Sequence, residues 1–175
     1  MDNTIDRQHA CAFTGHRPER LSIPEAYVIT WLKKEIRKAT EDGYTQFITG
    51  MQRGVDLWAA EAVLKLKAEG KSVRLIAASA FRGMESQWES DWKKRYHRIR
   101  CSADEVHYIS DKPGRTAFFQ RNNWMVDHAS RLIAVYTGAP GGTKETIRYA
   151  KAQGLKVFSI ADDMGGKGIL HENCI

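Results

Sequence analysis

Residues 46–60 read Gln-Phe-Ile-Thr-Gly-Met-Gln-Arg-Gly-Val-Asp-Leu-Trp-Ala-Ala. This pattern predicts a short β-strand that ends at Phe47 and Ile48, a tight turn with Gly50 and Gly54, and then a helix. The first N–H groups of such a helix have no backbone partner and carry about half a positive charge. The stretch therefore predicts a place where a phosphate or a carboxylate can bind.

Two other loops repeat this pattern. Residues 14–18 read Thr-Gly-His-Arg-Pro and follow the apolar run 10–14, and residues 137–143 read Thr-Gly-Ala-Pro-Gly-Gly-Thr and follow the apolar run 132–136. Neither loop has the spacing of a dinucleotide-binding fingerprint or of a Walker loop. Because ligands of parallel sheets bind beyond the carboxyl ends of the strands, we expect all three glycine loops to meet at one edge.

The rest of the chain alternates between strand and helix signals, which predicts an α/β fold with an open, mostly parallel sheet and helices on both faces. Ser22-Ile23-Pro24-Glu25 resembles a capping box at the start of the first helix, which ends at Gly43. The helix that follows the Gly50–Gly54 turn is predicted to end at Gly70, and three further helices are predicted at residues 85–102, 116–130 and 143–153. The other predicted strands cover residues 73–78, 106–109 and 157–160.

Length and composition indicate one globular domain, because 175 residues with 42% hydrophobic side chains can bury a substantial core. We expect residues 1–160 to form this domain and residues 161–175 to form a C-terminal tail. No apolar run is long enough to span a membrane, and the N-terminus is polar, so we expect a cytoplasmic protein without a membrane partner. Cys11, Cys101 and Cys174 form no closely spaced pair, so we expect reduced thiols, no metal site and no cofactor.

A basic run and an aromatic stripe lie on the predicted helix 85–102. A net charge of +6 favours anionic partners, and nucleic acid is one such partner. The alternative is a solvated face whose basic residues pair with acidic residues of the same helix, Glu85, Glu89 and Asp91. The stripe of Trp88, Trp92 and Tyr96 is typical of core packing, and stacking on a nucleobase is the alternative. The basic residues are Lys93, Lys94, Arg95, Arg98 and Arg100.

The loop residues have the chemistry of an anion site. His16 titrates near neutral pH, and Arg17 offers a planar fork to a phosphate or a carboxylate. Arg53 can anchor an anion in the same way. Asp56 is either a helix N-cap or an acceptor for sugar hydroxyls. The loop Gly141-Gly142-Thr143-Lys144 offers free N–H groups, a hydroxyl and an ammonium, and we expect the phosphate there.

Four ordered motifs resemble the YpsA-like family of the SLOG superfamily, whose Rossmann-like domains are three-layer sandwiches. They are Phe-Thr-Gly-His-Arg-Pro, Thr-Gly-Met-x-x-Gly-Val-Asp-x-x-Ala-Ala-Glu, Arg-Asn-x-Trp-Met-Val-Asp at 121–127, and the Gly-Gly-Thr loop. The superfamily includes the LOG phosphoribohydrolases and the DprA/Smf DNA-processing proteins. The resemblance implies a nucleotide-derived ligand, and a homodimer is a reasonable expectation from it. The ligand-binding residues that the loops and the resemblance predict are Gly15, His16, Arg17, Gly50, Arg53, Gly54, Asp56, Arg121, Asn122, Gly141, Gly142, Thr143 and Lys144.

Three functions stay open at this point. The first is binding of a nucleotide-like small molecule by a sensor or regulatory protein, with its phosphate on residues 141–144 and Arg17 and its ribose near Asp56. The second is hydrolysis of a nucleotide N-glycosidic bond with Glu145 or Asp56 as the carboxylate. The Pro-Gly-Gly-Thr-Lys-Glu sequence here departs from the LOG pattern Pro-Gly-Gly-x-Gly-Thr-x-x-Glu, which favours binding over catalysis. The third is binding of single-stranded DNA, as in the DprA relatives.

Overall fold

A computed structural model describes residues 5–165 of the chain. Six strands form one sheet in which every pair of neighbours is parallel, in the order β4-β3-β2-β1-β5-β6. The α/β fold and the parallel sheet predicted from the sequence are confirmed. The strands are β1 (Ala10–Gly15), β2 (Gln46–Thr49), β3 (Arg74–Ser79), β4 (Glu105–Tyr108), β5 (Arg131–Val135) and β6 (Lys156–Ser159).

Six helices connect or follow these strands, and two predicted helix starts are wrong. The first helix begins at Glu25 with Pro24 as its N-cap and no side-chain cap, so the capping box at Ser22 does not form. The helix predicted from residue 85 begins only at Ser90, because residues 83–88 form hydrogen-bonded turns instead. The helices are α1 (Glu25–Glu41), α2 (Val55–Ala68), α3 (Ser90–Ser102), α4 (Arg115–Asp127), α5 (Gly142–Ala152) and α6 (Ile160–Asp163).

The sheet is covered on both faces, which gives the three layers that were predicted. Alternate residues of each strand point to opposite faces, so Cys11 and Phe13 pack on the side of α1, α2 and α3, whereas Ala10 and Ala12 pack on the side of α4 and α5. Burial of both faces explains why the central strands read as continuous apolar runs rather than as alternating ones.

The direction of the sheet reverses at β1. The first three crossovers, through α1, α2 and α3, carry the chain from β1 out to β4, and α4 then returns it to the far side of β1, where β5 pairs. The crossover that leaves β1 and the crossover that leaves β5 run toward opposite edges of the sheet. The carboxyl ends of β1 and β5 therefore have no helix between them. Such a reversal point is where open α/β sheets bind their ligands.

The segment after β6 begins as a short helix that is docked on α1. The Asp163 carboxylate accepts hydrogen bonds from Trp31 Nε1 at 2.7 Å and from Lys34 Nζ at 3.3 Å. Residues 166–175 of the predicted tail lie outside the described residues. Among the helices of the described part of the chain, none combines the length and the apolar composition that crossing a bilayer requires.

Candidate functional site

A cavity of about 420 Å³ opens at the carboxyl edge of the sheet, beside the ends of β1 and β5. Residues of all three glycine loops and of α4 line it, so the structure brings the three loops together as the sequence predicts. The volume lies within the range of small-molecule sites. The lining residues are Phe13, Thr14, Gly15, His16, Arg17, Glu19, Arg20, Gln52, Asp56, Arg115, Phe118, Phe119, Arg121, Asn122, Gly141, Gly142 and Thr143.

The start of α5 forms one wall of the cavity. Gly141 is the N-cap of this helix and provides no side-chain acceptor for the first N–H groups, which belong to Gly142 and Thr143. A Cβ added to Gly142 would meet only Asn122 Nδ2, at 3.9 Å, so the space in front of the helix is open. The positive end of the helix dipole and these free donors therefore face a cavity that can admit an anion.

The first loop contributes one buried histidine and two exposed arginines. His16 is only 4% exposed, and its Nε2 has no hydrogen-bond partner among the described residues. Burial, with a smaller contribution from the charge of Arg20, lowers the pKa of His16, which favours the neutral imidazole. Arg20 Nη1 would lie 3.4 Å from a Cβ built on Gly141, so this guanidinium reaches the start of α5.

Asp56 and Arg121 are buried near each other in the wall of the cavity. They are 7% and 5% exposed. Burial raises the pKa of Asp56 to about 6, and the nearby Arg121 guanidinium only partly opposes this shift. Asp56 Oδ2 accepts a hydrogen bond from the backbone N–H of Gln52 at 3.2 Å, and Arg121 donates to the carbonyl of Gly50. A carboxyl group with this pKa can exchange a proton near neutral pH.

The N-cap alternative for Asp56 is wrong. The N-cap of α2 is Gly54, and Asp56 is the second residue of the helix. Its carboxylate turns back to the loop instead of capping an N–H group of the helix. Asp56 therefore lines the cavity, where the other alternative, an acceptor for sugar hydroxyls, can apply.

Four of the predicted ligand-binding residues do not line the cavity. Arg53 Nη1 and Nη2 donate hydrogen bonds to the two carboxylate oxygens of Glu19, at 2.9 and 2.8 Å. This bidentate ion pair connects the second loop to the first. Gly50 and Gly54 serve packing: a Cβ on Gly50 would lie 2.7 Å from Asp56 Oδ2, and one on Gly54 would lie 2.8 Å from Cδ of Pro18. Lys144 is exposed and does not line the cavity.

Several lining residues were not predicted from the sequence, namely Phe13, Thr14, Glu19, Arg20, Gln52, Arg115, Phe118 and Phe119. On α4, Arg115, Phe118, Phe119 and Asn122 share one helical face by their spacing, and this is a signal that the sequence carries. Which face of α4 meets the cavity depends on how the helix packs on the sheet, and the sequence does not state that.

The charge of the cavity is positive. Glu19 is neutralised by Arg53, and Asp56 lies near Arg121. Within residues 5–165, no ion pair is formed by Arg17, Arg20 or Arg115. These arginines leave an excess of positive charge that favours an anionic ligand.

Glu145, the other carboxylate considered for hydrolysis, is exposed and does not line the cavity. It forms an ion pair with Arg148, one turn along α5, at 2.7 Å. The geometry therefore leaves Asp56 and the paired Glu19 as the carboxylates of the cavity.

All three residues of the aromatic stripe, and Arg95 and Arg100 of the basic run, have structural partners. Tyr96 is 1% exposed, and its hydroxyl lies 2.9 Å from the hydroxyl of Ser79, so core packing is the correct alternative for the stripe. Arg95 pairs with Glu61 of α2 through two contacts of 2.7 Å, instead of with an acidic residue of its own helix as predicted. Neither set lines the cavity.

Comparison with known proteins identifies relatives over most of the chain. The profile of the YpsA family, described as the YspA SLOG family, matches residues 11–159. The UPF0398 protein BH1768 of Halalkalibacterium halodurans is 34% identical over 147 residues, which cover 79% of this chain and 78% of that protein.

Two solved structures share the fold. The structure of DNA processing protein A (DprA) from Streptococcus pneumoniae superposes with a TM-score of 0.61 at 18% identity, over 86% of this chain and 49% of that one. The present chain thus spans about half the length of the pneumococcal protein. A DprA structure from Helicobacter pylori, described for its single-stranded DNA binding mode, has a TM-score of 0.65 at 17% identity, over 95% and 76% of the two chains.

Proposed function

The chain belongs to the YpsA SLOG family, and from that premise we propose that its cavity binds a nucleotide or a nucleotide-derived ligand. The phosphate of this ligand lies at the start of α5, against the N–H groups of Gly142 and Thr143. Its sugar lies near Asp56. The protein is a sensor or regulatory protein rather than a hydrolase of the LOG type.

The observation that carries this proposal is the open start of α5 beside two arginines that have no acidic partner among residues 5–165. A helix start alone is a weak indication, because every helix has one. Here Arg17 and Arg20 add charge, and the buried Nε2 of His16, without a partner in the described part of the chain, adds a polar group that a ligand can satisfy. Three independent features therefore favour an anion at the same place.

The nucleotide character of the ligand is supported by the fold. The DprA proteins of similar structure are DNA-processing proteins, and the Helicobacter pylori protein binds single-stranded DNA. Nucleic acid and nucleotides share the phosphate, the sugar and the base. The volume of about 420 Å³ matches a ligand of that size better than inorganic phosphate.

A nucleotide panel tests the proposal directly. Purified protein is heated with AMP, ADP, cyclic dinucleotides, ADP-ribose and the other common nucleotides, and the unfolding temperature is followed. A ligand at one hundred times its dissociation constant adds about 2.7 kcal/mol to the free energy of unfolding, which is a clear shift. The absence of any shift across the panel would contradict the proposal.

The position of the phosphate is tested by Gly142→Val, with Lys144→Ala as the matched control. Gly142 has no backbone angle that requires glycine, and a Cβ there would meet only Asn122 Nδ2 at 3.9 Å, so we expect the fold to tolerate valine while its side chain fills the space in front of α5. We expect calorimetry to show a loss of at least tenfold in affinity, or about 1.4 kcal/mol, for Gly142→Val and no change for Lys144→Ala. Unchanged affinity in the valine variant, with an unchanged melt, would place the phosphate elsewhere.

Binding of single-stranded DNA is the second candidate, and the net charge of +6 together with the fold shared with DprA favours it. In that case the cavity holds one nucleotide of a longer strand. Affinity for a labelled oligonucleotide should then fall with salt, with a log–log slope near −0.7 for each phosphate neutralised. Tight binding of AMP without oligonucleotide binding at low salt would exclude this candidate.

Cleavage of a nucleotide N-glycosidic bond is supported only by Asp56, whose raised pKa suits proton transfer. Chromatography of each nucleotide after incubation detects any free base. Release of base by the wild type and not by Asp56→Asn would identify the protein as a hydrolase. Intact nucleotides would leave binding as the function.

A further inference from the structure

The cavity has one aromatic wall, which the phosphate end does not use. Phe118 and Phe119 of α4 both line it, beside Arg115 at the start of the same helix. The N–H groups of α5 and the arginines of the first loop, by contrast, supply only polar groups. A cavity with a polar, positively charged side and an aromatic side indicates a ligand that has a charged end and a flat apolar end.

The two phenylalanines differ in what they already contact. The Phe118 ring packs edge-on against Phe81 at 5.6 Å between centroids, and the Arg121 guanidinium lies 5.6 Å from its centroid. Phe119 has no aromatic neighbour within the described residues and is 39% exposed. The guanidinium carbon of Arg115 lies 5.7 Å from the centroid of the Phe119 ring. Phe118 is thus part of the packing, whereas the Phe119 ring is free to receive a ligand.

We infer that Phe119 is the platform on which the base of the ligand stacks, with the Arg115 guanidinium beside it. This inference rests on the proposed function and narrows it to ligands that contain a nucleobase, as opposed to sugar phosphates. Base stacking on an aromatic side chain, with a nearby arginine, is a common way to bind nucleotides without selecting one base. Purine and pyrimidine nucleotides therefore both bind, and the larger purines bind more tightly.

The test compares AMP with ribose 5-phosphate, which has the same sugar and phosphate but no base. Calorimetry measures both ligands with the wild type, Phe119→Ala and Phe119→Trp, after chromatography has shown that AMP stays intact. Tyr27→Ala is the matched control, because Tyr27 is another exposed aromatic residue, 45% exposed, on α1 and outside the cavity. A thermal melt of each variant verifies folding.

We expect the wild type to prefer AMP over ribose 5-phosphate by at least about fivefold, the lower end of the effect of stacking one base. Phe119→Ala should remove this preference and leave the affinity for ribose 5-phosphate unchanged. Phe119→Trp should keep the preference, and Tyr27→Ala should change nothing.

Two results would overturn the inference while leaving the proposed function intact. The first is equal binding of the two ligands by the wild type, and the second is an AMP preference that survives in Phe119→Ala. Binding of neither ligand, nor of any nucleotide in the panel, would instead overturn the proposed function and this inference with it.

Discussion

Asp56 is a carboxyl group that the folded protein holds at an energetic cost. Its pKa is raised to about 6 from an ordinary value of 3.8, even with Arg121 nearby. Between these two pH values the folded state binds more protons than the unfolded state. The free energy of unfolding therefore falls as the pH rises through this window, and the loss is complete above it.

Replacing Asp56 by asparagine should therefore remove this pH dependence, whatever the constant cost of leaving the buried Arg121 without an opposing charge. The measurement is urea unfolding at pH 4.5 and pH 7.5: between these two pH values the free energy of unfolding of the wild type should fall by about 2 kcal/mol relative to that of the variant, when each pKa unit is counted as 1.36 kcal/mol and the total is discounted for relaxation. Asp91→Asn, on the exposed side of α3, is the control. Parallel pH profiles of wild type and Asp56→Asn would contradict the prediction.

Single residues in the loops were predictable to the extent that their chemistry is local. Gly15, His16, Arg17, Asp56 and the start of the Gly-Gly-Thr loop were identified from residue type and position after a strand, and all of them line the cavity. Arg53 and Lys144 have equally suitable side chains, but Arg53 pairs with Glu19, and Lys144 is exposed outside the cavity. The sequence does not show that Glu19 lies within reach of Arg53.

At the scale of elements, the first and second loops behave as one unit. The Arg53–Glu19 ion pair joins them on the outside, and the contact of Gly54 with Pro18 joins them beneath. Gly54 also has a φ of +95°, in the left-handed region that side chains disfavour. The loop pair therefore holds Arg17 and Arg20 in place through backbone packing as well as through charge.

Gly54→Ala tests this packing, and Gly70→Ala is a matched control. Gly70 has a similar φ of +89°, but a Cβ there would meet nothing within 4 Å. Both variants place a side chain at a positive φ, and Gly54→Ala adds the unfavourable ψ of −127° at this position and the clash with Pro18. We expect denaturant unfolding to show a loss for Gly54→Ala that exceeds the loss for Gly70→Ala by at least about 1 kcal/mol. Equal losses would mean that the two loops are not packed as a unit.

Local sequence patterns predicted which elements form better than they predicted where each element begins. All six strands were predicted, and the four inner strands β1, β2, β3 and β5 read as apolar runs because a strand buried on both faces has few alternatives to apolar residues, whereas the edge strands β4 and β6 are only partly buried. The start of α3 was predicted five residues too early, since Glu85 to Glu89 have helix-compatible side chains. In the structure, however, Gly83 has a φ of +80° and lies in a series of hydrogen-bonded turns between Phe81 and Trp88.

For the whole molecule, the class of the fold followed from the alternation of strands and helices, but the order of strands did not. The periodicity of α4 is compatible with either side of the sheet. Only the pairing of β5 with β1 shows that the chain reverses there and that the cavity lies at this point. The aromatic wall on α4 was missed for the same reason.

The pairing of β1 with β5 also has a consequence for the order of events during synthesis. Ala12 pairs with Leu132, 120 positions later in the chain, although β1 and β2 are complete long before. During translation the N-terminal half can thus assemble β1 to β4, but one edge of β1 stays unpaired until β5 leaves the ribosome. The proposed phosphate position lies at the start of α5, which follows β5, so a chain that retains the proposed ligand must already have paired β5 with β1. Nascent chains that end before residue 131 should accordingly be unable to retain the ligand.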